Sequence, residues 1–226
     1  MIVAVKSAIP PSYPLHLFGA GHPVILPFAV ALGVDLMDSA SYVLYAKDRR
    51  YITRRGTYRL ERLHYLPCSC PVCSKYSVEE LREMSQNEVE KLLALHNLYV
   101  LYNEIKEVKE CIKEGRLWEY LEEKASSHPT ARRALDALKR HLEYVYRRSP
   151  YEKPRGRGVF VSSENSIYNP KLVIPKRKIL TDILPEKTCL VLLPLMKYEK
   201  SVEISDYQLL YLKTLSCFQD CEAYLY

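Results

Sequence analysis

Short apolar runs separated by turn residues occupy the first forty positions of the chain. Residues 16–18 read His-Leu-Phe and are followed by Gly-Ala-Gly, which is typical of a strand that ends in a tight turn. The apolar segment from Pro23 to Gly33 begins and ends with helix-boundary residues, and residues 34–38 form a second apolar run. The pattern predicts one parallel β-α-β unit with Asp38 at the carboxyl end of its second strand, where α/β folds place their chemistry.

Helical periodicity begins after a cysteine-rich segment. Ser77 and Glu80 have the spacing of a capping box, which predicts a helix start. Apolar residues then recur at intervals of three and four, so we expect a long helix over residues 88–114, ended by Gly115.

The second half of the chain predicts further elements. We expect helices near 116–126 and 129–147, and a polar linker with proline and glycine over 149–158. Beyond the linker, residues 159–161 and 189–193 have the apolar, β-branched character of strands.

The composition is that of an ordinary folded protein. The chain has 226 residues, of which 48% are hydrophobic and 27% charged, which argues against a disordered, fibrous or coiled-coil protein. The longest nearly uncharged apolar run, residues 24–34, is too short for a membrane span of about 20 residues. Residues 1–6 do not have the pattern of a signal peptide. These features predict a cytoplasmic protein without a membrane partner.

The excess positive charge lies in two blocks. Lys and Arg number 33 against 27 acidic residues, which gives a net charge of +6. Residues 47–62 and residues 151–180 each carry seven basic and two acidic side chains. Such blocks attract polyanions such as nucleic acid, although solvated surface faces also explain charge runs. The candidate phosphate contacts are four arginines of the first block, Arg49, Arg50, Arg54 and Arg55.

Three of the seven cysteines lie within six residues. Cys68, Cys70 and Cys73 form a Cys-x-Cys-x-x-Cys segment, a spacing that favours a metal site over disulfides in a reducing compartment. A tetrahedral zinc site needs a fourth ligand, for which the residues alone offer His96 or His64. The alternative is a patch of thiols with no metal.

Four segments together resemble one enzyme family. The segments are His-Leu-Phe-Gly-Ala-Gly-His-Pro at 16–23, Asp-Leu-Met-Asp-Ser-Ala-Ser-Tyr at 35–42, Pro-Cys-Ser-Cys-Pro-Val-Cys at 67–73 and Leu-His-Asn at 95–97. In order, spacing and residue type they are similar to tRNA-guanine transglycosylases. The details resemble the archaeal enzymes, because the bacterial ones usually have Cys-Val-x-Pro-Thr-Arg where this chain has Ser-Ala-Ser-Tyr.

The resemblance implies an activity and a set of functional residues. Enzymes of this family exchange a guanine in tRNA for a 7-deazaguanine base, and the archaeal branch inserts 7-cyano-7-deazaguanine in the D-arm on the way to archaeosine. In this chain Asp38 matches the nucleophile, and Phe18 and Gly19 match the strand end that contacts the base. The positions that match the family's four ligands to one structural Zn²⁺ are Cys68, Cys70, Cys73 and His96.

The resemblance also implies an α/β fold, of which this chain forms only a part. The family fold is a (β/α) barrel of the TIM type with a zinc-bearing insertion, and a complete barrel takes about 250 residues. We therefore expect residues 1–150 to be the C-terminal part of that barrel with the zinc subdomain. Residues 151–226 resemble a linker and the start of an accessory C-terminal domain.

Three hypotheses account for the missing strands. In the first, a partner chain supplies the N-terminal half of the barrel and the two chains together exchange the base. In the second, the chain is a non-catalytic, zinc-containing subunit that binds tRNA. In the third, it is an inactive gene fragment. The sequence leaves open whether the chain forms a dimer.

Overall fold

Helices dominate the fold in the computed structural model, which describes residues 1–150, 158–182, 189–193 and 221–225. Within these residues the architecture is mixed α/β, with three two-stranded sheets and no closed barrel. None of the described helices is long and apolar enough to cross a bilayer. The helices are α1 Ile2–Ala8, α2 Leu26–Ala31, α3 Ser41–Lys47, α4 Val78–Glu83, α5 Gln86–Glu114, α6 Leu117–Ser127, α7 Pro129–Lys139, α8 Leu142–Arg148 and α9 Pro170–Asp182. The strands are β1 His16–Leu17, β2 Leu36–Met37, β3 Arg50–Thr53, β4 Gly56–Arg59, β5 Cys189–Leu193 and β6 Cys221–Leu225.

The predicted β-α-β unit is confirmed. β1 and β2 pair in parallel, with His16 opposite Leu36 and Leu17 opposite Met37, and α2 lies between them in the chain. The helix buries Leu26 and Phe28, so its apolar face packs into the core. Because the strands are parallel, their carboxyl ends meet at the same edge, and Asp38 follows directly after β2.

A β-hairpin that the sequence analysis did not predict follows α3. Strands β3 and β4 pair antiparallel around a tight turn at Arg54 and Arg55. Tyr51 and Ile52 on β3 are fully buried, whereas the basic residues of the turn are exposed. The sequence pattern does not indicate these strands, because most of their side chains are polar or charged and only two of them enter the core.

The helix boundaries predicted in the middle of the chain agree with the structure, except that the long helix begins at Gln86 rather than at residue 88. Ser77 and Glu80 form a capping box at the start of α4, with Glu80 N–H donating to the Ser77 hydroxyl at 3.1 Å. A second capping box, at Ser85, starts α5. The long helix ends at Gly115, whose φ of +72° is the left-handed conformation that favours glycine.

The predicted helix over 129–147 is two helices, α7 and α8. The backbone N–H groups of Arg140 and His141 bond to carbonyls three residues back, at Ala137 and Leu138, so the chain tightens and α7 ends. The helix predicted near 116–126 is confirmed as α6.

The predictions beyond residue 150 have mixed outcomes. The predicted strand at 159–161 is wrong: these residues have no regular secondary structure, and Phe160 and Val161 are exposed and unpaired by any described strand. The strand predicted at 189–193 is confirmed as β5, which pairs in parallel with β6. Most of the predicted linker, residues 151–157, lies outside the described residues.

The chain divides into two compact units, Met1–Pro175 and Lys176–Tyr226. In the first unit one apolar cluster joins the hairpin to α4 and α5 through Tyr51, Leu81 and Leu93. A second cluster packs α2, α6 and α7 together around Trp118 and Leu135. The second unit contains β5 and β6. The domain boundary at residue 150 stays a prediction.

Candidate active site and metal centre

The four predicted metal ligands come together in the first unit. The thiols of Cys68, Cys70 and Cys73 lie on the loop between the hairpin and α4, and His96 lies on α5. Their ligand atoms all lie within 4.8 Å of one another, and together they can hold a metal ion. His64, the alternative ligand, is exposed and lies outside this group.

The spacings within the group match a tetrahedral site. The Sγ atoms of Cys70 and Cys73 are 3.6 Å apart, and His96 Nδ1 lies 3.4 Å from the first and 3.3 Å from the second. Zinc with Zn–S of about 2.3 Å and Zn–N of about 2.0 Å has tetrahedron edges of about 3.8 Å between sulfurs and about 3.5 Å between sulfur and nitrogen. The observed distances agree with these edges to within a few tenths of an ångström.

Neighbouring groups orient the histidine. His96 Nε2 donates a hydrogen bond to the Ile52 carbonyl oxygen at 2.9 Å, so the proton is on Nε2 and the Nδ1 lone pair faces the thiols. The Tyr51 ring stacks on the imidazole with centroids 3.7 Å apart, and its hydroxyl lies 3.2 Å from Cys73 Sγ. The hairpin therefore supplies the shell that fixes the ligands.

The protonation states of the ligands depend on whether a cation is bound. Burial raises the pKa of the Cys68 and Cys73 thiols, because three neighbouring thiolates would stand in a poorly solvated place. Burial lowers the pKa of His96 to about 4, which keeps the imidazole neutral and able to coordinate. A divalent cation would reverse the preference of the thiols, since it stabilises the thiolate form.

Asp38 forms a second group at the carboxyl ends of β1 and β2. Its Oδ1 accepts a hydrogen bond at 3.2 Å from the backbone N–H of Gly19, whose φ of +70° suits glycine and turns that N–H toward the carboxylate. The two loops approach closely, since a Cβ on Gly21 would lie 2.3 Å from the Ser39 Cβ. The Asp38 side chain is 49% exposed, so a substrate can reach it.

Two aromatic side chains of β1 and its end flank this carboxylate. Phe18 is 84% exposed and offers a free ring face beside Gly19. The His16 ring packs edge-on against Phe18 with centroids 6.3 Å apart, and His16 Nε2 lies 3.0 Å from Asp38 Oδ1. His16 is not among the functional residues predicted from the sequence. The available signal was its position two residues before Phe18, because such residues share one face of a strand.

The four arginines of the basic block do not share one environment. Arg49 pairs with Glu61 at 2.8 Å and donates to the Arg82 carbonyl, so its guanidinium supports the fold. Arg50 lies over the Tyr45 ring at 5.8 Å from its centroid.

The two arginines at the hairpin turn also differ from each other. Arg54 donates to the Tyr120 hydroxyl at 2.9 Å and to Glu104 at 3.4 Å. Arg55 is exposed, and its guanidinium forms no ion pair with any residue that the structure describes.

A buried polar network anchors the hairpin turn to the helices. Glu104 on α5 is fully buried and accepts hydrogen bonds from the Tyr120 hydroxyl at 2.6 Å and from Lys124 Nζ at 2.8 Å. Lys124 also donates to the Arg54 carbonyl oxygen at 2.8 Å. The network fixes the backbone of the turn, and therefore the position from which Arg55 projects.

Comparison with known proteins gives a consistent result. A family described as queuine tRNA-ribosyltransferase (TGT) matches residues 1–130, more than half of the chain. A tRNA-guanine(15) transglycosylase of Saccharolobus solfataricus is 50% identical over 173 residues, which are 76% of this chain and 34% of that protein. The Pyrococcus furiosus tRNA-guanine(15) transglycosylase is 54% identical over 168 residues, 74% of this chain and 28% of that protein.

The chain thus spans about a third of the length of the curated relatives that it matches. The matched region contains both groups of residues described above, the metal ligands and the Asp38 carboxylate. The chain belongs to the queuine tRNA-ribosyltransferase, or tRNA-guanine transglycosylase, family.

Proposed function

We propose that this chain carries the nucleophile of a tRNA-guanine transglycosylase, and that Asp38 is that nucleophile. The observation that supports this best is the placement of an exposed carboxylate at the carboxyl ends of two parallel strands, held by the Gly19 backbone N–H. In α/β folds this end of the strands is where reacting groups are found. Family membership supplies the reaction class.

The reaction is a double displacement at the anomeric carbon of a tRNA ribose. The Asp38 carboxylate attacks C1′, the bond from C1′ to guanine N9 breaks, and its electron pair leaves with guanine, which takes up a proton. The incoming base then gives up its N9 proton, attacks C1′ and returns the electron pair to the carboxylate. Two inversions retain the configuration, as in retaining glycosidases.

Phe18 and Gly19 form the base-contacting end of this site in our proposal. The target nucleotide has to leave its stack before a carboxylate can reach C1′. The exposed Phe18 ring is a surface on which the extruded base can stack. The neighbouring Gly19 leaves space next to the carboxylate for the ribose.

We also propose which tRNA position and which incoming base the site takes. The relatives' names specify guanine 15 of tRNA. We propose that this chain acts on the same D-arm guanine and that the incoming base is 7-cyano-7-deazaguanine, in archaeosine biosynthesis in the cytoplasm. The exposed Arg55 is our first candidate for a tRNA phosphate contact, and Arg50 and Arg54 are secondary candidates because aromatic or acidic neighbours engage them.

We propose that Cys68, Cys70, Cys73 and His96 hold one Zn²⁺ with a structural role. The four protein donors complete a tetrahedral shell and leave no position for substrate, which is the arrangement of structural zinc sites. The ion would tie the cysteine loop to α5 as part of a zinc-bearing insertion in residues 1–150. It takes no part in the exchange steps.

We further propose that a partner chain completes the barrel around Asp38. In the described residues β1 and β2 form a sheet of two strands, so each strand has an outer edge that pairs with no other described strand. Strand edges of this kind pair with further strands. Residues 151–226 would be a linker and the start of an accessory domain. A tRNA-binding subunit without catalysis and an inactive fragment are the alternatives.

Incorporation of radiolabelled guanine into tRNA tests the proposal. The chain is purified from its own cells so that partners stay bound. An Asp38→Asn variant is compared with Asp48→Asn, because the Asp48 carboxylate is also exposed but follows α3 rather than β1 or β2. We expect incorporation by the wild type and by Asp48→Asn, and none by Asp38→Asn. Retention of tRNA by all three without exchange would favour the accessory subunit, and insoluble protein would favour the fragment.

A further inference from the structure

We propose that His16 is a positioning residue for the Asp38 carboxylate, and that it selects Oδ2 as the attacking oxygen. This inference rests on the proposed function and adds to it the atom that reacts and the side chain that presents it.

The polar contacts of Asp38 are asymmetric. His16 Nε2 lies 3.0 Å from Oδ1, and the Gly19 backbone N–H donates to the same oxygen at 3.2 Å. No described residue donates to Oδ2. Because a carboxylate oxygen can only accept, the proton of this contact is on Nε2, and it stays there whether or not Nδ1 is also protonated.

This asymmetry has a chemical consequence. The Gly19 N–H and the neighbouring His16 Nε2 both stabilise negative charge on Oδ1, while Oδ2 has no described partner. As the bond from Oδ2 to C1′ forms, Oδ1 becomes the carbonyl oxygen of the ester and keeps both contacts. When the incoming base displaces the ester, the returning negative charge meets the same two preorganised groups.

The strand geometry supports a dedicated role for His16. β1 and β2 pair with His16 opposite Leu36 and Leu17 opposite Met37, which brings the next positions, Phe18 and Asp38, side by side. His16 and Phe18 lie on the same face of the chain with their rings edge-on at 6.3 Å. One strand end therefore carries both the ring that meets the base and the imidazole that holds the nucleophile.

Fold stability does not account for this pair. The side chains of His16 and Asp38 are 48% and 49% exposed, and an exposed pair of this kind contributes little to the stability of a fold. Both side chains lie at the open end of the strands rather than in the apolar clusters of the first unit. Their arrangement is explained better by the site than by the core.

Two substitutions distinguish the contribution of the His16 N–H group from that of the imidazole ring. His16→Gln can place an amide donor where Nε2 lies, whereas His16→Leu removes the donor and keeps an apolar side chain. His64→Leu, at an exposed histidine outside both groups, is the matched control. In the guanine-exchange assay on the protein purified with its partners, we expect His16→Leu to lower kcat by about 10- to 100-fold at unchanged KM for tRNA. We expect His16→Gln to stay within about threefold of the wild type.

An NMR measurement tests the pair without any activity. Two-bond ¹H–¹⁵N correlations of the histidine rings report which nitrogen carries the proton. We expect a proton-bearing Nε2 for His16 in the wild type and a mixture of tautomers in Asp38→Ala, because the acceptor that holds this tautomer is lost. A His16 tautomer that does not respond to Asp38→Ala would overturn the inference, whatever the enzyme does.

The kinetic outcomes separate the two proposals. An active wild type with a fully active His16→Leu, or with equal losses in His16→Leu and His16→Gln, would overturn the positioning role and leave Asp38 as nucleophile. A wild type that exchanges no guanine would overturn the proposed function and the positioning role with it.

Discussion

His96 Nε2–H donates a hydrogen bond of 2.9 Å to the carbonyl oxygen of Ile52, and this bond decides which ring nitrogen has its lone pair free for the thiol site. The carbonyl belongs to β3, so a strand of the hairpin sets the tautomer of a ligand on α5. The neighbouring Asn97 reinforces the same junction, since its side chain accepts from Ile52 N–H at 2.8 Å and donates to the Arg50 carbonyl. The metal group, the hairpin and α5 therefore form one structural block.

Loss of a single thiol should remove both the metal and the stability of this block. Cys70 is buried and lies within reach of Cys73 and His96. We expect Cys70→Ala to bring bound zinc, measured by plasma mass spectrometry, from about one ion per chain to near zero, because binding energy at a structural site is folding energy. We also expect a lower melting temperature.

Cys111→Ala is the matched control for the thiol. Cys111 is also fully buried, on the same helix as His96, but it lies outside the group of metal ligands. We expect this variant to keep its zinc and to lose only the modest stability of a small buried side chain. A Cys70→Ala protein with the zinc content and melting curve of the wild type would contradict the proposed ligand set.

The parts of this structure that the sequence predicts are those governed by local rules. The capping box at Ser77, the helix stop at Gly115 and the parallel unit around α2 each follow from a few neighbouring residues. The same holds for the three clustered cysteines. The histidine ligand lies more than twenty residues away, and it was identified through the resemblance rather than from spacing.

The parts that the sequence did not predict depend on long-range contacts. The hairpin forms because Tyr51 and Ile52 are buried against elements far along the chain, which no local periodicity reports. The contact of His16 with Asp38 joins two strand ends that only the parallel register brings together. Residues 159–161 have the apolar pattern of a strand but do not form one, because they have no partner strand in the described part of the chain.

The buried Glu104 network should be a large contributor to stability. Glu104→Gln removes the negative charge that compensates Lys124, which is itself almost fully buried. An uncompensated buried charge costs about 3–5 kcal/mol, so we expect a loss of that order in the free energy of unfolding measured with urea. Glu107→Gln removes a more exposed partner of Arg116 and Arg54 and should cost about 1 kcal/mol or less. Equal losses in both variants would mean that the network contributes little.

Arg55 and Arg49 should respond differently to substitution although they belong to one basic block. Arg55 is exposed and forms no ion pair with a described residue, so we expect Arg55→Ala to weaken tRNA binding and to reduce the slope of log K against log salt by about 1. Arg49 is held by Glu61 and the Arg82 carbonyl, so Arg49→Ala should lower the melting temperature with little change in that slope. Fluorescence anisotropy with tRNA at several salt concentrations measures both.

An exposed arginine on α7 controls for the loss of one charge. Arg133 is exposed and lies outside both basic blocks, so Arg133→Ala should leave the salt slope unchanged. If Arg133→Ala and Arg55→Ala weaken binding equally, the effect is general electrostatics, and the hairpin turn is not a phosphate contact.

The stability of the first unit should depend on pH through His22. Burial, with smaller contributions from the positive charges of His128 and Lys124, lowers the pKa of His22 from 6.5 to about 4. Between these two pH values the unfolded chain takes up a proton that the folded chain excludes, so the free energy of unfolding is highest above pH 6.5 and falls as the pH drops toward 4. With partial exposure discounted, we expect His22 to account for about 1–2 kcal/mol of this fall.

The variant His22→Asn tests this pH dependence. Its amide oxygen can accept the hydrogen bond from Val24 N–H that His22 Nδ1 now accepts at 3.2 Å, but the amide does not titrate. Urea unfolding across this pH range should show a shallower fall for His22→Asn than for the wild type, and an unaltered fall for the exposed-site control His64→Asn. Parallel curves for His22→Asn and the wild type would show that His22 is protonated equally in the folded and unfolded chains.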